Sequence, residues 1–297
     1  MFERMRSRKL VRIGSSLFVS IPAEWARSLG LSEGSEVLMD MDGEGITLRP
    51  PRGAAGRRVS VGPPAVHRKL LAAYLNGCSE IEVSLSGVGR GDMEKLERVA
   101  SSLIGLEKVY QGSDRAVYAC FVDDNQDAGS ISGRMVDTLS GMLVDAARAL
   151  DSVDRGGLEE VAERDAVIDK LYFLLVRVLR STVELPRAKL MDFRAMSKVL
   201  ERIGDEVSGL ASGAPESWNP TSLWAYASEE ADMLRKAHSM FLEGRHEDAE
   251  ALGEEAWSLS CELLAEAARE PGDFGARAAH AYSAVAGLIK DVTDLIV

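Results

Sequence analysis

From Ser130 to Val297 the chain carries no strand signal, and helix breakers cut that stretch into six segments. The breaks are Gly156-Gly157, Pro186, Gly213-Ala214-Pro215, Gly244 and Pro271-Gly272. They predict helices over 130–152, 156–184, 187–212, 218–243, 245–269 and 273–297. Apolar residues recur at helical spacing in the first (Val136, Leu139, Leu143, Ala146, Leu150) and in the third (Phe193, Met196, Leu200, Ile203, Val207, Leu210). Three helices then repeat as three helices with a period of about 86–89 residues. Such a pattern folds as two three-helix bundles, over 130–213 and 214–297.

Within the first repeat, four carboxylates form two pairs one helical turn apart: Asp165–Asp169 and Glu201–Asp205. Residues at i and i+4 share one side of a helix. The helices meet in a hairpin turning near Leu185-Pro186, so facing positions sum to about 371. Asp169 comes level with residue 202 and Asp165 with residue 206. Four acids at one height suit a carboxylate metal site, for iron, zinc or another divalent cation. Glu201 and Asp205 lie away from the apolar stripe of their helix and are expected to face outward. Asp165 and Asp169 lie at the edge of theirs, so the site is expected to be a surface groove. The same acids also fit a solvated face, with Lys198–Glu201 and Arg202–Asp205 as i, i+3 pairs worth tenths of a kcal/mol. Solvation alone gives no reason for Gly204, which costs about 1 kcal/mol against Ala in mid-helix. That glycine implies a close neighbour at the backbone. In the second repeat Glu254 falls at the Asp165 position and Ser258 at Asp169. Gly287 takes the place of Glu201 and Asp291 that of Asp205, so a second full site is not expected.

The 297 residues exceed one ordinary core and call for several domains. No apolar run approaches the ~20 residues of a membrane span, and the basic start lacks a signal peptide's apolar stretch. Three scattered cysteines (Cys78, Cys120, Cys261) point to reduced thiols and a cytoplasmic protein. The net charge of −12 hides an asymmetry. Residues 1–69 carry 12 Lys/Arg against 7 Asp/Glu, a balance of +5, and the remaining 23 against 40 leave −17. A polyanion contact therefore belongs to the basic head.

In that head, Lys9–Ile13 and Leu17–Ile21 alternate as strands around Gly14-Ser15-Ser16. A short helix runs from Ala23 to Leu29, and 36–41 and 45–49 form a second hairpin. Some 45 residues cannot bury this much apolar surface alone, which predicts an obligate dimer. A Pro/Gly/Arg stretch over 51–64 reads as a linker. Residues 65–125 read as a small α/β unit: helix, strand, helix, strand, strand. The fold class is α+β overall.

Two stretches of the chain resemble known families. Arg12-Ile13-Gly14-x-Ser16-x-x-Val19-x-Ile21-Pro22, then Leu29-Gly30-Leu31-x-x-Gly34-x-x-Val37, resembles the AbrB/MazE/SpoVT swapped-hairpin family. The resemblance implies that residues 1–50 form an intertwined homodimer binding DNA through Arg6, Arg8, Lys9, Arg12, Ser15 and Ser16. Ser20 and Val11 depart from it, standing where related members carry cations. Asp165-x-x-Ile168-Asp169 with Glu201-Arg202-Ile203-Gly204-Asp205 resembles the PhoU family. This implies a regulator of phosphate uptake with a metal on Asp165, Asp169, Glu201 and Asp205. Its partners would be a second copy, DNA and phosphate transporter components, without membrane insertion. Three readings stay open: a DNA-binding regulator, a regulator acting only by contact with a transporter or its kinase, and a di-iron enzyme. Against the last, no Glu-x-x-His pair falls in the helices that carry the four acids, and there is no activated nucleophile, so no enzyme is expected.

Overall fold

A computed structural model describes residues 7–42, 45–49, 57–123, 126–182, 185–269 and 273–296. The architecture is α+β, as expected, and the chain divides into two compact units, residues 1–55 and 56–297.

In the first unit, β1 (Val11–Ile13) and β2 (Ser16–Phe18) pair antiparallel, with Arg12 opposite Leu17. Gly14 turns the hairpin with a left-handed φ of 63°, a conformation glycine adopts without penalty. A six-residue helix, α1 (Ala23–Ser28), starts immediately after Pro22, as proline's fixed φ favours. The second hairpin joins β3 (Leu38–Asp42) to β4 (Gly45–Arg49).

The second unit begins with β5 (Arg58–Val61), inside the stretch expected to be linker. Val59 and Val61 turn toward the core there, and β5 pairs parallel with β6 (Glu80–Ser84). The crossover between them is α2 (Val66–Leu75), and α3 (Arg90–Ser101) follows β6. The hairpin of β7 (Leu106–Gln111) and β8 (Arg115–Cys120) completes a sheet of order β5-β6-β8-β7. Ile81 and Val83 alternate inward with Glu80, Glu82 and Ser84, so one face is covered and the other is polar.

Six helices form the body: α4 (Ala128–Ser152), α5 (Arg155–Ser181), α6 (Arg187–Ser212), α7 (Trp224–Glu243), α8 (Ala249–Ala267) and α9 (Phe274–Thr293). Asp127 and Asp154 cap α4 and α5 by accepting from the Ser130 and Gly157 amides. The seventh helix starts at Trp224 instead of 218, because Pro220 disfavours helical geometry in the residue before it. That non-helical lead finishes α4 instead: the Trp218 indole and the Thr221 amide both donate to the Leu150 carbonyl. One apolar cluster runs through all six helices.

The α/β layer is tied to the body through α5. Phe173 packs into the core of the α/β layer, and Arg177, only 1% exposed, donates to the carbonyls of Tyr74 and Cys78. Its guanidinium lies 4.8 Å from the Tyr74 ring centroid, and Arg180 donates to the Asn76 side chain.

Candidate functional site

The four acids stand on the α5–α6 hairpin. Asp165 and Asp169 stand half-buried on α5, while Glu201 and Asp205 project from α6. The four lie within electrostatic reach of one another. Burial, then the charges of Asp169, Asp205 and Glu201, push Asp165 up to about 6. Asp169 is raised by burial and by Glu201 and Asp205, against the pull of Lys198. One Asp165 oxygen, Oδ1, is buried without a hydrogen-bond partner.

Gly204 explains how closely α6 approaches α5. A Cβ there would lie 2.9 Å from Asp165 Oδ1 and 3.3 Å from Ile168 Cγ2. The close neighbour implied by this glycine is therefore helix α5 itself, and specifically the helical turn that carries Asp165.

Asp205 faces outward as expected, but the Glu201 side chain is only 14% exposed. It pairs with Lys198, which raises the lysine. A helical wheel of α6 alone does not show this coverage. Sequence reasoning also passed over the cationic wall beside the acids. Arg194 donates to the Tyr172 hydroxyl at 2.8 Å and stacks 5.1 Å from its ring, with Lys198 5.8 Å from the same ring. The spacing Arg194–Lys198, one turn apart, was the available signal.

The donor set suits a hard cation: four carboxylates, mutual repulsion for a cation to relieve, and an orphaned buried oxygen. It is not drawn together as it stands. Among the described residues no three His, Cys, Asp or Glu side chains form a group able to hold a metal ion.

In the head, Arg8, Lys9, Arg12, Ser15 and Ser16 are all exposed, the serines at the tip of the β1–β2 hairpin. Arg6 lies outside the described residues. None of the head's described side chains is buried. Leu10, Val11, Ile13, Leu17, Phe18 and Val19 are each roughly half exposed or more, and an apolar groove of about 350 Å3 opens beside Ile21, Trp25 and Leu29.

Comparison with protein families places both regions. Residues 10–55 match the family described as antidote-toxin recognition MazE, bacterial antitoxin. Residues 133–212 match the PhoU domain, which takes in all four acids and ends with α6. Both families are regulatory, and no curated protein matches the chain. Among the described residues no helix is long and apolar enough to cross a membrane. The chain thus joins a MazE-type domain at its head to a PhoU domain in its helical body.

Proposed function

We propose that the protein is a homodimeric, DNA-binding regulator of phosphate uptake. The observation that carries this reading is the head, which buries no described side chain yet bears apolar residues on both strands of its first hairpin and an apolar groove. A patch of that kind marks an association surface. A second copy, exchanging its hairpin, supplies the missing core. The dimer then presents two sets of Arg8, Lys9 and Arg12, with Arg6, Ser15 and Ser16, to DNA phosphates. Each phosphate contact adds about 0.9 to the log–log salt slope.

The body reads phosphate status through the acid groove. Asp165, Asp169, Glu201 and Asp205 would hold an iron, zinc or other divalent ion, with Glu201 exchanging Lys198 for the metal. The orphaned Asp165 oxygen supports this role. Lys198 is then released to the Arg194 side of the groove. Contact with a phosphate transporter or its kinase is the natural output of such a body. The reading involves no catalysis.

Gel-shift binding to the DNA upstream of the protein's own coding sequence, titrated with salt, tests the head. Changing Arg8, Lys9 and Arg12 to Ala should weaken binding and flatten the salt slope by about 2–3 per head. Unchanged slope and affinity would leave only regulation by protein contact. Metal analysis of the wild type beside Asp165→Asn/Asp205→Asn tests the groove: equal content in both rules the site out.

A further inference from the structure

The second repeat carries a different groove where its acid pairs have been lost. It runs between α8 and α9, with a volume of about 710 Å3. Glu250, Glu254 and Trp257 line it from one face of α8, and Lys290, Asp294 and Ile296 from α9 and its end. Trp257 is 56% exposed, an unusual cost for the largest apolar side chain on a surface. The lysine is already used, its ammonium 2.6 Å from Asp294. Glu250 and Glu254, one turn apart, are exposed and unpaired among the described residues. Gly253 sits between them, and a Cβ there would meet Thr293 Oγ1 at 2.7 Å. Close approach of the helices thus survives in this repeat, with the glycine moved to the opposite helix and no carboxylate beneath it.

We infer that this groove binds a cationic segment of a partner protein, one Arg or Lys stacking on Trp257 and pairing with Glu250 or Glu254. An aromatic face beside free carboxylates is the chemistry that recognises guanidinium and ammonium groups. Charge complementarity selects a basic partner, since residues 70–297 carry 23 Lys/Arg against 40 Asp/Glu. The groove follows α8 for about 16 Å, from Glu250 to Cys261, which fits a segment rather than a small free cation. Its buried floor, including Ala249 and Ile296, accepts apolar side chains spaced between the cations.

The test is calorimetry on the full chain with a twelve-residue amphipathic peptide of Arg, Leu and Ala, beside the same peptide with Glu for Arg. The Arg peptide should give saturable binding, and the Glu peptide none. Trp257→Ala should weaken binding about fivefold or more, as should Glu250→Gln/Glu254→Gln. Asp165→Asn/Asp205→Asn should bind like the wild type, which separates this groove from the acid groove. The side chains changed at 250, 254 and 257 are exposed, so unchanged helicity should confirm that those variants fold. Equal binding by Trp257→Ala, or by the Glu peptide, overturns the proposal. So does a fall in molecular mass on Trp257→Ala, which would show a second copy occupying the groove. Loss of DNA binding by the head touches none of these outcomes.

Discussion

None of the head's described side chains is buried, whereas the body sinks a glutamate and an arginine completely out of water. Glu230 on α7 is 0% exposed, and neither carboxylate oxygen has a hydrogen-bond partner. Arg177 is covered but satisfied by two carbonyls. The body therefore has core to spare and tolerates expensive polar groups inside it. The head has too few residues per unit of apolar surface to cover it alone, which is why we propose a second copy there. On the proposed reading, folding of the body is a property of one molecule, and folding of the head is a property of two.

The largest effect should come from charging the head's apolar face. Leu17→Asp with Ile46→Asp should leave the protein monomeric and unable to bind DNA, while the body's thermal transition stays in place. A shift of the body's melting temperature in that variant would break the comparison. Next, Arg177→Met strands the Tyr74 and Cys78 carbonyls and should destabilise residues 56–297 by about 3 kcal/mol. Urea unfolding should show this without any change in the mass of the native protein.

Glu230→Leu should act in the opposite direction, stabilising the body by about 1–3 kcal/mol at neutral pH. Burial raises Glu230 well above the usual carboxylate range, with Glu229 on the same helix adding to it; Tyr282 faces it from α9. A raised folded value means the stabilising form is the protonated one. That contribution is full below the ordinary Glu value near 4.3 and is lost as pH rises toward the raised folded value. Unfolding midpoints of the wild type should therefore fall as pH rises from the ordinary Glu value through the raised folded one, and the Leu variant should lose that part of the slope. An identical slope in both would show that Glu230 does not titrate within the fold. At the small end, Glu159→Ala removes the exposed Arg155 pair at 3.1 Å and should change stability by less than about 0.5 kcal/mol.

Much of this architecture was legible in the residues, for identifiable reasons. Helix breakers are local, so Gly156-Gly157, Pro186 and Gly244 located the ends of the long helices within a few residues. Strand β5 was missed because four residues between an Arg-rich stretch and two prolines have too short an alternation to read, and only pairing with β6 makes them a strand. Among the acids, helical spacing and hairpin register brought Asp165, Asp169, Glu201 and Asp205 within electrostatic reach of one another. The covered state of Glu201, whose side chain is 14% exposed, is a product of packing that no single-helix pattern contains. Arg177 and Glu230 look like ordinary helix residues in sequence, and their burial arises from packing between elements far apart in the chain.

The measurement that bears most directly on the account is the mass of the native protein in solution by sedimentation equilibrium across a wide concentration range. The account predicts twice the 32.1 kDa chain mass, with dissociation coupled to loss of the head's strand signal. A 32.1 kDa species whose head remains folded on dilution would contradict it.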